Sequence, residues 1–233
     1  MHTAKSWNPV AVMSLFAVNL LVSGCGSSAQ HTTPTSLEER TSSEEPASPE
    51  EPTTRYREGD WVIYRFEGAS DEPPVEMTER VISQRGNQLE VDVVMRRGDE
   101  ERHWVQVVTD TPENQQNNVV DALYEVVDGE RRQLPNVDNE DIIRLSSWIF
   151  APIDGQTTPE GESAVELEIA GERHQCTRRT TRAVSSGRPA RMIVHTCPSF
   201  LWTHGPGSLR DLETDEPIWT ITVEAAGRDG VDR

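Results

Sequence analysis

The segment from Glu172 to Cys197 constrains the fold more than any other. Two strand-like runs, Glu172 to Val184 and Arg188 to Cys197, flank Ser186-Gly187, which suits a two-residue hairpin loop. Counting outward from that loop sets Ser185 opposite Arg188, Ala183 opposite Ala190 and Cys176 opposite Cys197. Ser185 and Arg188 form the hydrogen-bonded pair that closes the loop, so alternation makes the cysteines a non-hydrogen-bonded pair. Such pairs have Cα atoms about 4.5 Å apart, a distance a disulfide spans.

A zinc site is the sharper alternative. His174 and His195 each stand two residues before a cysteine, which puts all four on one strand face. Two Cys and two His make a tetrahedral set. The histidines would lie diagonally across the pair, however, and oxidation removes both thiolates. Cys176 and Cys197 are therefore read as a structural disulfide, with free thiols as the remaining option. No metal or other cofactor is expected.

The rest of the chain after Arg55 reads in the same way. A Gly-Asp turn precedes Trp61 to Phe66, where both faces are largely apolar, as in a strand packed on two sides. Val75 to Ser83 follows a Pro-Pro break. Asn87 to Met95 alternates Leu89, Val91 and Val93 with Glu90 and Asp92. Glu101 to Thr109 is the next strand. Asp128-Gly129 then predicts a hairpin between Leu123 to Val127 and Glu130 to Leu134. Asp138 caps a helix with Ile142, Leu145 and Ile149 at helical spacing, stopped by Pro152. Ser163 to Ile169 and Pro217 to Ala225 complete the strands; Trp202 to Gly207 reads as a Gly/Pro loop. Short consecutive strands joined by tight turns predict a mainly β fold. The expected form is a curved antiparallel sheet, half-barrel or open barrel, with one short helix packed on it.

Four segments follow: 1–24, 25–54, a single β-rich domain over 55–228, and a tail at 229–233. Residues 26–54 are Ser, Thr, Pro and Glu with almost no large apolar side chain, which predicts a disordered acidic tether. Its ends would sit about 30 Å apart as a flexible coil. Ahead of it, Lys5 supplies positive charge and Val10 to Val22 an apolar core, too short for a comfortable membrane span. The core ends in Leu20-Leu21-Val22-Ser23-Gly24-Cys25. This resembles the lipobox of bacterial lipoproteins. The alternative is an uncleaved anchor helix with an incidental cysteine. The resemblance implies cleavage before Cys25, a diacylglycerol on its thiol, and a further acyl chain such as palmitate on the freed amine. Two or more chains make a stable hold. By the sorting rule of enteric bacteria, Gly26 in place of Asp implies the outer membrane, with the domain in the periplasm or at the cell surface. An exported domain also occupies an oxidising space, where a disulfide persists.

Charge excludes several functions. The formal net charge is −18 and Lys5 is the sole lysine. A Walker phosphate loop and a Schiff-base enzyme each need a lysine, so both are excluded from the mature chain. The acidity also argues against a nucleic-acid partner. Neither a Gly-x-Ser-x-Gly elbow nor a His-Glu-x-x-His motif is present. Glu166 and Glu168 alternate with Val165, Leu167 and Ile169 and read as a solvated strand face rather than a catalytic pair. His103 and His204 look isolated. Trp61, Trp104, Trp202 and Trp219 are expected in the core, or lining an apolar cavity.

The architecture is similar to the half-barrels of periplasmic lipoprotein carriers, without any shared motif. The Gly-Asp-Trp-Val opening and the cysteine hairpin resemble uncharacterised envelope lipoproteins. That resemblance carries no activity with it; the function expected from the residues is a membrane-anchored, non-enzymatic protein that binds an apolar ligand or a partner protein. The alternative is a structural or assembly lipoprotein with no small-molecule site. A sheet face filled by its own Trp, Leu and Val would favour the alternative. A cleft joining a histidine to a carboxylate would favour an enzyme.

Overall fold

A computed structural model describes residues 55–68, 73–111, 114, 120–134, 153–154 and 157–229. The expected leader, Cys25, the tether and the helix over 138–152 lie outside these residues. Eleven strands follow one another: β1 (Asp60–Gly68), β2 (Val75–Arg85), β3 (Gln88–Arg97), β4 (Glu100–Thr109), β5 (Ala122–Val127), β6 (Glu130–Gln133), β7 (Thr158–Ile169), β8 (Glu172–Ser185), β9 (Arg188–Thr196), β10 (His204–Asp211) and β11 (Pro217–Arg228). They form one antiparallel sheet in the order β6-β5-β4-β3-β2-β1-β11-β10-β9-β8-β7. Two meanders, β1–β6 and β7–β11, are thus joined where β1 pairs with β11. The sheet does not close, yet β7 touches β11 across the three strands between them, so it curls.

Tight turns set the registers. Asp128 and Gly129 both have positive φ, as do Ser186 and Gly187, the conformation a two-residue hairpin with the right twist requires. Val127 accordingly pairs with Glu130, and Ser185 with Arg188. The β8–β9 register runs unbroken from that loop to Thr177 opposite Thr196. One step further, Cys176 and Cys197 are disulfide-bonded with Cα atoms 4.2 Å apart.

The expected Gly/Pro loop is instead the start of β10. Pro206 lacks an N–H for the ladder, and the β9–β10 register shifts between His204 and Gly207, where that loss is absorbed. Gly207 allows the close approach: a Cβ there would stand 3.1 Å from the Ile193 carbonyl oxygen.

One face of β1–β5 is deeply buried. Val62, Tyr64 and Phe66 on β1 continue through Val75, Met77 and Val81 on β2 to Leu89, Val91, Val93 and Met95 on β3. Trp61, Ile63 and Arg65, on the other side of β1, are only half-buried. The same cluster contains Ile169, Cys176, Cys197, Phe200 and Trp202. The disulfide-bearing end of β7–β9 and the loop after it therefore cover the inward face of the other half of the sheet. A second cluster joins Ala183, Ala190, Met192, Leu209 and Trp219. β8 serves both: it buries His174 and Cys176, then changes parity and buries Thr181, Ala183 and Ser185.

Further bonds tie the covering end down. Trp202 Nε1 donates to the Trp61 carbonyl at 3.2 Å, and its ring lies 5.1 Å from Tyr56. The Arg55 guanidinium donates to the carbonyls of Pro198 and Phe200. Asp60, fully buried, accepts from Arg228 at 2.5 Å and from the Arg57 amide at 2.7 Å, which locks the start of β1 to the end of β11.

Alkylation without reductant followed by mass analysis should leave Cys176 and Cys197 unmodified; two adducts would contradict the bond. Replacing both by alanine should cost about 3 kcal/mol in denaturant titrations, the chain-entropy value for a loop of this length.

Candidate functional site

Each expected ligand-lining tryptophan has a definite place. Trp104, Trp202 and Trp219 are 4%, 1% and 5% exposed, packed among the chain's own side chains. Trp61 lies on the opposite face from Val62 and stacks on its cross-strand neighbour Gly227, where a Cβ would come within 3.0 Å of the indole. These four do not converge on one surface.

The cysteine–histidine group is equally committed. Both sulfurs are in the disulfide. His174 is buried, its Nδ1 3.1 Å from Ser199 Oγ and its ring edge-on to Phe200. His195 Nδ1 lies 2.6 Å from the Pro206 carbonyl. The four residues thus serve the fold rather than a tetrahedral metal site. Among the described residues no group of three or more His, Cys, Asp or Glu is placed to hold a metal.

Sequence reasoning missed two features. The first is an open groove of about 480 Å³ on the outer face of β3–β6, lined by Asp92, Glu101, His103, Val105, Val126, Asp128, Gly129 and Arg131. His103 is not isolated: its Nε2 lies 2.6 Å from Asp92 Oδ1. Val94 pairs with His103 and Asp92 with Val105, so the two are diagonal neighbours. A histidine oriented by a carboxylate supplies two of the three members of a nucleophilic triad. The groove lining supplies no Ser, Thr or Cys for it to activate. It is a polar surface of mixed charge.

The second is a set of polar atoms on the buried face. Glu79 is 1% exposed, between Val62 of β1 and Val93 of β3. Among the described residues, its Oε2, like Trp104 Nε1 and Gln106 Oε1, has no hydrogen-bond partner. Burial pushes the Glu79 carboxyl well above its usual range and raises the nearby Tyr64 hydroxyl. The alternation of Val75, Met77, Glu79 and Val81 carried the signal: Glu79 occupies an apolar position.

No family model and no curated protein matches the chain. Solved structures do match in shape. A hypothetical protein from Chlamydia trachomatis is 8% identical, with 75% of this chain and 89% of that chain covered and a TM-score of 0.41. MucB, solved in complex with MucA(peri), is 12% identical over 77% of this chain, with a TM-score of 0.38; the match spans 53% of MucB, about half its length. A protein from Parabacteroides distasonis taken to be a lipoprotein is 8% identical, with 75% and 99% covered and a TM-score of 0.37. Likeness at this level is a likeness of chain path alone. What fold and surface together define is an open, curled β-sheet protein with a disulfide-closed interior.

Glu79 gives a signed pH prediction. With a raised pKa in the fold, the native state keeps a proton that the unfolded chain loses near pH 4.3. The stability Glu79 permits is therefore complete below that pH and falls as pH rises toward the folded value. Glu79→Gln should stabilise the protein at pH 7.5 and change it much less at pH 4. Equal effects at both, read by denaturant titration, would contradict a buried protonated carboxyl.

Proposed function

We propose that this protein is a lipoprotein of the bacterial envelope, acylated at Cys25, anchored in the outer membrane and non-enzymatic, whose domain binds a partner protein. The observation behind the binding part is the filled inward face, expected from the sequence for an envelope lipoprotein with no small-molecule site. It leaves a partner protein rather than an apolar ligand as what the domain meets. A half-barrel that carries an apolar ligand needs an open interior. Here Ile169, Phe200, Trp202 and the Cys176–Cys197 bridge pack in one buried cluster with the inward face. Recognition is thereby left to the outer surface and the sheet edges, which suit a protein.

The address rests on other grounds. Leu20 to Cys25 has the lipobox pattern, and the disulfide suits an oxidising compartment outside the cytoplasm. The non-enzymatic reading rests on the groove, whose histidine–carboxylate pair faces no nucleophile.

Cells grown with labelled palmitate should incorporate label into the protein and lose it in Cys25→Ser. Label that persists in the variant, or never appears, overturns the anchor. Gentle native mass spectrometry of the mature protein should give the acylated chain with no separate lipid. A retained lipid would overturn partner binding in favour of a carrier.

A further inference from the structure

The outer edge of the sheet at β7 has a specific chemistry. β7 ends the strand order, so its far side pairs with no strand among the described residues. An unpaired row of N–H and C=O groups is a template for another strand. Near its start the edge is spoiled: Pro159 lacks an N–H, and the register shifts between Pro159 and Gly161. From Glu162 to Ile169 the β7–β8 register is regular. The opposite edge, β6, is only 4 residues long.

The regular stretch has two unlike faces. Glu162, Glu166 and Glu168 share one, all exposed. Val165 and Leu167 share the other, half-buried against the main core. Glu162 bonds Arg179 at 2.6 Å, and Glu166 bonds Gln175 at 3.0 Å and pairs with Arg173 at 3.6 Å, all on β8, the inner side. Glu168 forms no ion pair among the described residues. A strand added outside β7 would therefore set alternate side chains against carboxylates and against half-covered Val165 and Leu167.

Self-association fails this match. A second copy pairing β7 with β7 would set glutamates against glutamates, and like charges directly opposite are destabilising. The complementary occupant is an extended segment in which Arg or Lys alternates with Val, Ile or Leu. We propose that β7 is a docking edge that takes such a segment of another protein as a twelfth strand. Backbone bonds supply affinity and the alternating side chains supply specificity. This deepens the partner-binding reading and rests on it.

The test uses the mature chain with its disulfide intact and a short capped peptide of alternating Arg and Val. At physiological salt the peptide should slow amide exchange in residues 158–169. Glu166→Arg with Glu168→Arg should weaken it about tenfold, as two reversed cross-strand charge pairs imply, and should admit a peptide of alternating Glu and Val. Should the reversed protein fail to fold, Glu166→Gln with Glu168→Gln should give a smaller loss in the same direction. Protection spread over the acidic surface, protection elsewhere, or unchanged affinity in the variants overturns the docking edge. A partner crosslinked in cells only through residues outside β7 also overturns it, while leaving partner binding itself in place.

Discussion

The structure depends on one packing event: the disulfide-bearing end of β7–β9 lying on the inward face of β1–β5. An open antiparallel sheet of this size has one apolar face to remove from water, and β1–β3 present a nearly unbroken one from Val62 to Met95. Ile169, Phe200 and Trp202 cover it. The Cys176–Cys197 bond keeps the covering end together, and Trp202, Arg55 and Tyr56 tie it to the strand where the domain begins. Residues 55–61 and the loop after β9 are thereby coupled. The Asp60–Arg228 pair, with Asp60 wholly buried, adds a second clasp between the first and last strands.

That arrangement also decides where function can reside. Among the described residues, the polar groove of His103 and Asp92 and the acidic edge of β7 lie outside that covered face. Exposed Arg–Glu pairs such as Arg65–Glu67 and Arg96–Glu101 contribute little to stability, since such pairs are screened by water and salt. Their consequence is surface chemistry. Lys5 is the chain's sole lysine, and its formal net charge of −18 repels anions and attracts cations.

Much of the fold was legible because β-hairpins are local. Asp128-Gly129 and Ser186-Gly187 demand left-handed backbone at both loop positions, and each then sets its strands' register residue by residue. Cys176 could be placed opposite Cys197 for that reason alone. Strand β10 was not legible: Gly205, Pro206 and Gly207 look like a loop, and only the irregular pairing with β9 lets them join a sheet. The His103–Asp92 contact was missed for a different reason, since the β3–β4 register is unbroken. The signal was there to count: Gly98-Asp99 is a two-residue loop, so Arg97 pairs with Glu100 and Val94 with His103, which leaves Asp92 diagonal to His103. Glu79 was readable from its apolar neighbours in β2, whereas the filling of the inward face depends on how the sheet curls, a long-range property that no local pattern encodes.

The direct measurement of that filling is a nuclear Overhauser spectrum of the isotopically labelled domain with its disulfide intact. Cross-peaks between the Trp202 indole and the Tyr56 ring, and from Ile169 methyls to side chains of β1–β3, are the expected result. A Trp202 ring with contacts only to its own loop would contradict the account, because the inward face would then be open.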